Sequence, residues 1–167
     1  MSRSAIIELH KDALKFSAGH LMLLSSQARE TLHGHDYQVS VALLTDPGSN
    51  GFAIDLRHYR ETLQTLCQTL DFRFLVPGTS PFLLIHENGA HWTIQFQNQS
   101  FQLLKTDVII LPIPNITLEE LSGWFIQQLT ADPAALEAQG ILGIRVKVYN
   151  GRSESGATHW GQWSIID

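Results

Sequence analysis

Three histidines hold the densest chemistry in this sequence. His33-Gly34-His35 sets two imidazoles at i and i+2, and His20 closes the upstream run Phe16-Ser17-Ala18-Gly19-His20. On extended backbone, side chains two apart share a face, so His33 and His35 point the same way. Three neutral imidazoles suit a tetrahedral ion such as zinc and leave its fourth position open. A catalytic ion uses such an open position to take up water or a substrate oxygen. Other divalent ions accept the same donors. Cupins also use an HxH pair, but with a Glu a few residues later, and Asp36-Tyr37-Gln38-Val39-Ser40 supplies none. His10, His58, His86, His91 and His159 are scattered and are expected to be exposed or hydrogen-bonded structural residues.

For His20 to reach the pair, two strands must lie side by side. Ser4 to Phe16 alternates loosely in polarity and reads as one strand, and His35 to Thr45 reads as a second. The link from Ser17 to Gly34 is longer than a hairpin loop, and long loops in compact domains are often functional. Asp46 to Gly51 is a turn. Asp55 to Leu70 reads as a helix capped by Asp55, with Leu56, Tyr59, Leu63, Leu66 and Leu70 along one stripe. Short strands follow at Phe82–His86, His91–Gln97, Phe101–Leu104 and Asp107–Leu111. Thr117-Leu118-Glu119-Glu120 is a capping box. It opens a second helix with Leu121, Trp124, Phe125 and Leu129 on its apolar face, broken by Asp132-Pro133. Ile141 to Tyr149 and Ala157 to Ile166 read as a final strand pair. The order implies an α+β fold, a largely antiparallel sheet with two helices on one face.

The 167 residues suit a single domain, 1–167. A net charge of −5 without a basic run argues against a general nucleic-acid or anionic-membrane binder. No apolar run reaches the roughly 18 residues of a membrane helix, and the N-terminus lacks the pattern of a signal peptide. The one cysteine, Cys67, excludes an intrachain disulfide and fits a cytoplasmic protein.

The runs FSAGH, LHGHDY, GFAIDL, LDFRFLVP, ITLEEL and VKVYNG, in this order, resemble the 6-pyruvoyl-tetrahydropterin synthase and 6-carboxy-tetrahydropterin synthase family over nearly the whole chain. The stretch Arg29-Glu30-Thr31-Leu32-His33-Gly34-His35 looks most like the variant of malaria parasites and some bacteria, which carries Glu where mainstream synthases carry Cys. The resemblance implies a T-fold and zinc on His20, His33 and His35. It also implies a homo-oligomer, trimer or hexamer, with active sites between subunits.

By the same resemblance, Glu30 is the acid/base, since Ser25 to Glu30 holds no cysteine and Cys67 reads as a packing residue. Asp71 matches the Asp of the family's L-D-H element, whereas Phe72 stands where the family has His. A phenyl ring cannot relay a proton. Thr117 and Glu119 match the pterin-binding T-x-E segment. The second anchoring carboxylate is replaced by Asn150 or supplied by Glu154. An amide accepts hydrogen bonds at one end only.

The implied reaction is zinc-dependent cleavage of the side chain of 7,8-dihydroneopterin triphosphate to 6-hydroxymethyl-7,8-dihydropterin. The alternatives are 6-pyruvoyl- or 6-carboxy-tetrahydropterin synthase activity, or a non-catalytic T-fold protein that binds a pterin or purine. Leu21 follows His20 where many members have a basic residue, which leaves an unphosphorylated substrate open.

Overall fold

The computed structural model describes residues 4–10, 12–49, 51–52 and 54–165. Its strands are β1 (Ala5–Leu9), β2 (Lys15–His20), β3 (His33–Thr45), β4 (Arg73–Pro77), β5 (Leu84–Asn88), β6 (His91–Phe96), β7 (Gln99–Leu104), β8 (Val108–Leu111), β9 (Ile141–Asn150) and β10 (Glu154–Gly161). Its α-helices are α1 (Leu56–Leu70), α2 (Leu118–Leu129) and α3 (Pro133–Ala138).

The stretch expected as one strand from Ser4 to Phe16 is two. A turn at 12–14 separates β1 from β2. Both pair antiparallel with β3, β1 along its second half and β2 along its first. Leu14 causes the break: it is fully buried, and its carbonyl accepts a 2.8 Å bond from the Val39 amide. The chain dips into the core there instead of running on along the sheet.

The main sheet has seven strands in the order β10-β9-β3-β2-β4-β8, with β1 beside β3. The expectation of antiparallel pairing holds except at β4, which joins both β2 and β8 in parallel. Residues 73–77 give no alternating pattern because both faces of the strand are covered. Leu75 enters the core beneath the helices, while Val76 packs with Ile94 and Phe96 of a separate three-stranded sheet, β5-β6-β7. Near-continuous apolar runs are the mark of strands buried on both sides.

The helices cover the other face. The α1 stripe buries Tyr59, Leu63, Cys67 and Leu70, and Asp55 caps it by accepting from the Arg57 amide. In α2, Leu121, Trp124, Phe125 and Leu129 are buried as the spacing predicts, and Thr117 Oγ accepts from the Glu120 amide at 3.3 Å. Two helices were expected, and α3 is a third. Asp132 accepts from Ala135 N at 3.1 Å, so Asp132-Pro133 starts a helix as well as ending one. These helices press on Phe16, Ala18, Tyr37, Val39, Val41, Ile144, Val146 and Val148 of the central strands. The rigid layer beneath the candidate site is therefore β2, β3 and β9.

Candidate metal centre and substrate cleft

Strand periodicity delivers the three histidines to one place. His20 lies on the same face of β2 as Phe16 and Ala18, and His33 and His35 lie on the same face of β3 as Tyr37 and Val39. In register, His20 is directly opposite His33. The ring centroids are 4.6 Å apart for His20–His33, 5.1 Å for His20–His35 and 4.7 Å for His33–His35. One ring nitrogen from each lies within 4.8 Å of the others. Gly34 is opposite Gly19, and a Cβ on Gly34 would come 2.8 Å from the Ala18 carbonyl oxygen. Glycine there lets the two ligand-bearing strands close up.

The donors fit a divalent ion. His20 is 3 % exposed, and neither of its ring nitrogens has a hydrogen-bond partner among the described residues. A buried polar atom left unsatisfied costs about 1–3 kcal/mol, a cost that a bound cation removes. Burial first, and then the two neighbouring imidazoles, lower the His20 pKa to about 4, which keeps the ring neutral as a ligand must be. His33 Nδ1 is 2.6 Å from the Thr31 carbonyl. Donation there fixes the tautomer and leaves Nε2 free to ligate. His33 Nε2 and His35 Nε2 are 3.0 Å apart. Two nitrogens at about 2.0–2.1 Å from a tetrahedral ion stand about 3.3 Å from each other.

Around this cluster is a cleft of 440 Å³. It is lined by the three histidines together with Glu30, Thr117, Glu119, Asn150 and Glu154, so eight of the nine residues singled out in the sequence meet in it. The Glu30 carboxylate is 3.6 Å from His33 Nε2. Thr117 and Glu119 arrive at the N-terminus of α2. That helix can approach because Gly156 of β10 has no side chain: a Cβ there would sit 2.5 Å from the Leu118 carbonyl carbon. Asn150 and Glu154 were alternatives in the sequence. They are cross-strand partners flanking the turn of the β9–β10 hairpin, so both line the cleft.

Asp71 is the residue that does not join them. Its carboxylate accepts a 2.7 Å bond from the Ser17 amide. It lines a separate depression of 480 Å³ with Lys15, Gln68 and Phe72. Phe72 stands 84 % exposed at a φ of +53°, its amide held by the Ser17 carbonyl. A third depression, of 520 Å³, runs along Gly19, Gly34, Phe72 and Phe74 and shares only His35 with the cleft. Cys67 is buried in α1, and burial pushes its thiol up to about 12, so it offers no nucleophile.

Sequence reasoning missed Tyr37 and Asn115. Tyr37 follows His35 by two residues, so strand alternation alone would have put it in the cleft. Burial, with the nearby Glu30 charge, pushes its phenol upward and keeps it a hydrogen-bond donor. Asn115 carries no local signal. Its side chain accepts from Leu23 N at 3.0 Å and donates to Leu23 O at 2.7 Å, and it also accepts from Ile116 N. It thereby ties the loop before Glu30 to the start of α2.

This architecture, an α+β T-fold with three histidines at the end of its buried sheet face, defines the class. The family model described as 6-pyruvoyl tetrahydropterin synthase matches residues 8–162, and the chain belongs to that family. A Methanocaldococcus jannaschii protein described as a putative 6-carboxy-5,6,7,8-tetrahydropterin synthase is 25% identical over 139 residues, covering 83% of this chain and 85% of its own. The solved 6-pyruvoyltetrahydropterin synthase of Plasmodium vivax superposes with a TM-score of 0.89 at 26% identity, over 95% of this chain and 99% of its own. A form of that enzyme in which a catalytic glutamate is replaced by alanine matches equally. The Plasmodium falciparum protein gives the same TM-score and identity over 96% and 99%.

Proposed function

We propose that this protein is a metal-dependent enzyme acting on a reduced pterin with a hydroxylated side chain, with Glu30 as its acid/base. One observation carries the proposal: the Glu30 carboxylate faces the three-histidine cluster at 3.6 Å from His33 Nε2, in a cleft to which no cysteine contributes. The catalytic residue changed in the Plasmodium vivax variant is likewise a glutamate.

A zinc ion on His20, His33 and His35 would polarise a side-chain hydroxyl and lower its pKa. Glu30 then removes the proton from the hydroxyl on the second side-chain carbon. The bond between the first and second carbons breaks, and its electron pair passes into the ring imine. The second carbon leaves as an aldehyde with the rest of the side chain. Return of the proton to the first carbon gives 6-hydroxymethyl-7,8-dihydropterin when the substrate is 7,8-dihydroneopterin triphosphate. Glu119 and Glu154 accept from the ring's amino and N–H groups, while Asn150 and Thr117 complete the polar rim. Tyr37, which lines the same cleft beside His35, offers the substrate a phenol hydrogen-bond donor.

A second reading, 6-carboxy- or 6-pyruvoyl-tetrahydropterin synthase activity, is favoured by the names of the archaeal and parasite relatives. Asp71 has a role in either reaction only if it serves the cleft of a neighbouring copy, as the homo-oligomer implied by the resemblance would allow.

The test is mass-spectrometric product analysis of the zinc-loaded protein with 7,8-dihydroneopterin triphosphate, with Glu30→Ala in parallel. 6-Hydroxymethyl-7,8-dihydropterin that disappears in the variant supports cleavage. A 6-pyruvoyl or 6-carboxy product supports the second reading. Unchanged substrate with zinc bound defeats both on this substrate.

A further inference from the structure

The three-stranded sheet β5-β6-β7 supplies no residue to the cleft, yet its β6–β7 hairpin grips the loop that carries Glu30. Arg29 lies at the centre of that grip. Its Nε donates to Gln99 Oε1 at 2.8 Å, its Nη1 donates to the Glu30 carbonyl at 2.7 Å, and its guanidinium stacks over the Phe101 ring at 4.9 Å. Gln97, in the turn of the same hairpin, donates from Nε2 to the Ser26 carbonyl at 2.7 Å and to Gln27 Oε1 at 3.2 Å. The Glu30 amide donates to the Met22 carbonyl at 3.0 Å. Both backbone polar groups of Glu30 are therefore held, one by its own loop and one through Arg29 by the hairpin.

The hairpin is itself anchored. Ile94 and Phe96 are buried against Leu21, Leu23, Val76 and Val108. Gln97 sits at a φ of +54°, a left-handed conformation that a glutamine adopts only when its surroundings compensate. Two hydrogen bonds to loop 26–27 and one from Gln95 Nε2 to its own carbonyl, at 3.1 Å, supply that compensation.

From these contacts we infer that the β6–β7 hairpin is the positioning element for Glu30, acting through Arg29 and Gln97. The inference rests on Glu30 being the acid/base. A carboxylate on an unsupported loop would sample many positions relative to the histidines, and a misplacement of about 1 Å can cost about 100-fold in rate. Arg29 suits this use because one planar fork reaches a side-chain oxygen and a backbone oxygen at once. A lysine ammonium has no such fixed geometry.

The experiment uses Arg29→Ala, Arg29→Lys and Gln97→Gly in the full-length protein, alone and in a Glu30→Ala background. Gln97→Gly removes the side chain but suits the positive φ, so the fold is preserved. Two quantities are read: steady-state turnover of 7,8-dihydroneopterin triphosphate by the zinc-loaded protein, and amide hydrogen exchange across residues 24–30.

Arg29→Ala is expected to lower kcat by about 10- to 100-fold, with KM and zinc affinity near the parent's. Arg29→Lys should recover only part of this, and Gln97→Gly should lose several-fold. None should lower turnover further once Glu30 is alanine. Exchange in 24–30 should accelerate in each Arg29 and Gln97 variant while that of β2 and β3 stays unchanged. Parental kcat in Arg29→Ala, an equal loss persisting in the Glu30→Ala background, or unaltered exchange in 24–30 overturns the inference. Faster exchange in 24–30 together with a fully active Glu30→Ala protein defeats the acid/base assignment instead and leaves the mechanical coupling standing.

Discussion

Replacing Gly34 by alanine adds one methyl group at the point where the ligand strands are closest. Gly34 lies in extended β3 without a positive φ, so alanine meets no conformational obstacle. The obstacle is contact: the new Cβ would stand 2.8 Å from the Ala18 oxygen and 3.2 Å from the Ala18 carbon and the Gly19 Cα. Ordinary contact begins at 3.4 Å, so β2 must retreat by about 0.6 Å, because the three nearest atoms are all backbone. That retreat falls one residue from the His20–His33 pair, where metal–ligand distances tolerate only about 0.2 Å.

Overpacking of this kind costs about 1–3 kcal/mol, lessened by about 0.4–1 kcal/mol because alanine restricts the unfolded chain. Zinc affinity should fall about 10- to 100-fold, as when other supports of ligand geometry are lost. Competition with a chromogenic chelator measures the affinity, and urea unfolding of the metal-free protein measures the stability. Gly19→Ala is the internal control. Its Cβ would meet the Phe74 ring at 2.7 Å, and that side chain is only half-buried and can swing aside. Its effect on zinc affinity should be well under 10-fold. If Gly34→Ala binds zinc like the parent, or if the two variants cannot be told apart, close approach of β2 and β3 does not set the ligand geometry.

Glu30→Gln should keep zinc affinity near the parent's while lowering turnover by about 100- to 10,000-fold; initial rates at saturating substrate decide this, and an unchanged rate removes Glu30 from the chemistry. Cys67→Ala should leave turnover intact at a stability cost of about 1 kcal/mol, measured by activity and thermal unfolding, and an inactive but folded variant would contradict a purely packing role. In the metal-free protein His20 protonates near pH 4 when folded and near 6.5 when exposed. The unfolded chain thus binds the extra proton between those values, so stability is lost as pH falls from 6.5 toward 4, by up to about 3 kcal/mol. Urea unfolding across that window tests this, with His20→Gln expected to flatten the slope. Asn115→Ala should raise KM and lower kcat together, because it frees both the Glu30 loop and the start of α2; steady-state kinetics reads both, and a change in thermal stability alone would reduce Asn115 to a fold residue.

The clustering of the three histidines was legible in the sequence because strand alternation is a local rule. His33 and His35 had to share a face, and His20 needed only one antiparallel pairing to reach them. The α1 and α2 stripes and the Asp55 and Thr117 caps were legible for the same reason. Glu30 was assigned through resemblance, since a carboxylate in a loop has no periodicity to reveal its direction. Pairings at long range were not legible: nothing local to Arg73–Pro77 signals that it runs parallel between β2 and β8, and nothing near Asn115 signals that Leu23 is its partner. Asp71 stood beside Phe72 in a recognisable motif, but its contact with the Ser17 amide, 54 residues away, puts it outside the cleft.

The direct opposition of His20 and His33 also separates two components of the site. The segment from Leu21 to Leu32 leaves the sheet at one of these residues and returns at the other, so its ends stay adjacent whatever lies between them. Loop closure varies slowly with length, about 0.6 kcal/mol for each doubling. The three histidines belong to the scaffold, whereas Glu30 belongs to a separate segment seated on that scaffold. A segment of another length, bearing another acid or base, could be grafted between the same two histidines, provided that it keeps a carbonyl where Thr31 meets His33 Nδ1. The grafted segment would need to carry its own contacts to Asn115 and to the β6–β7 hairpin.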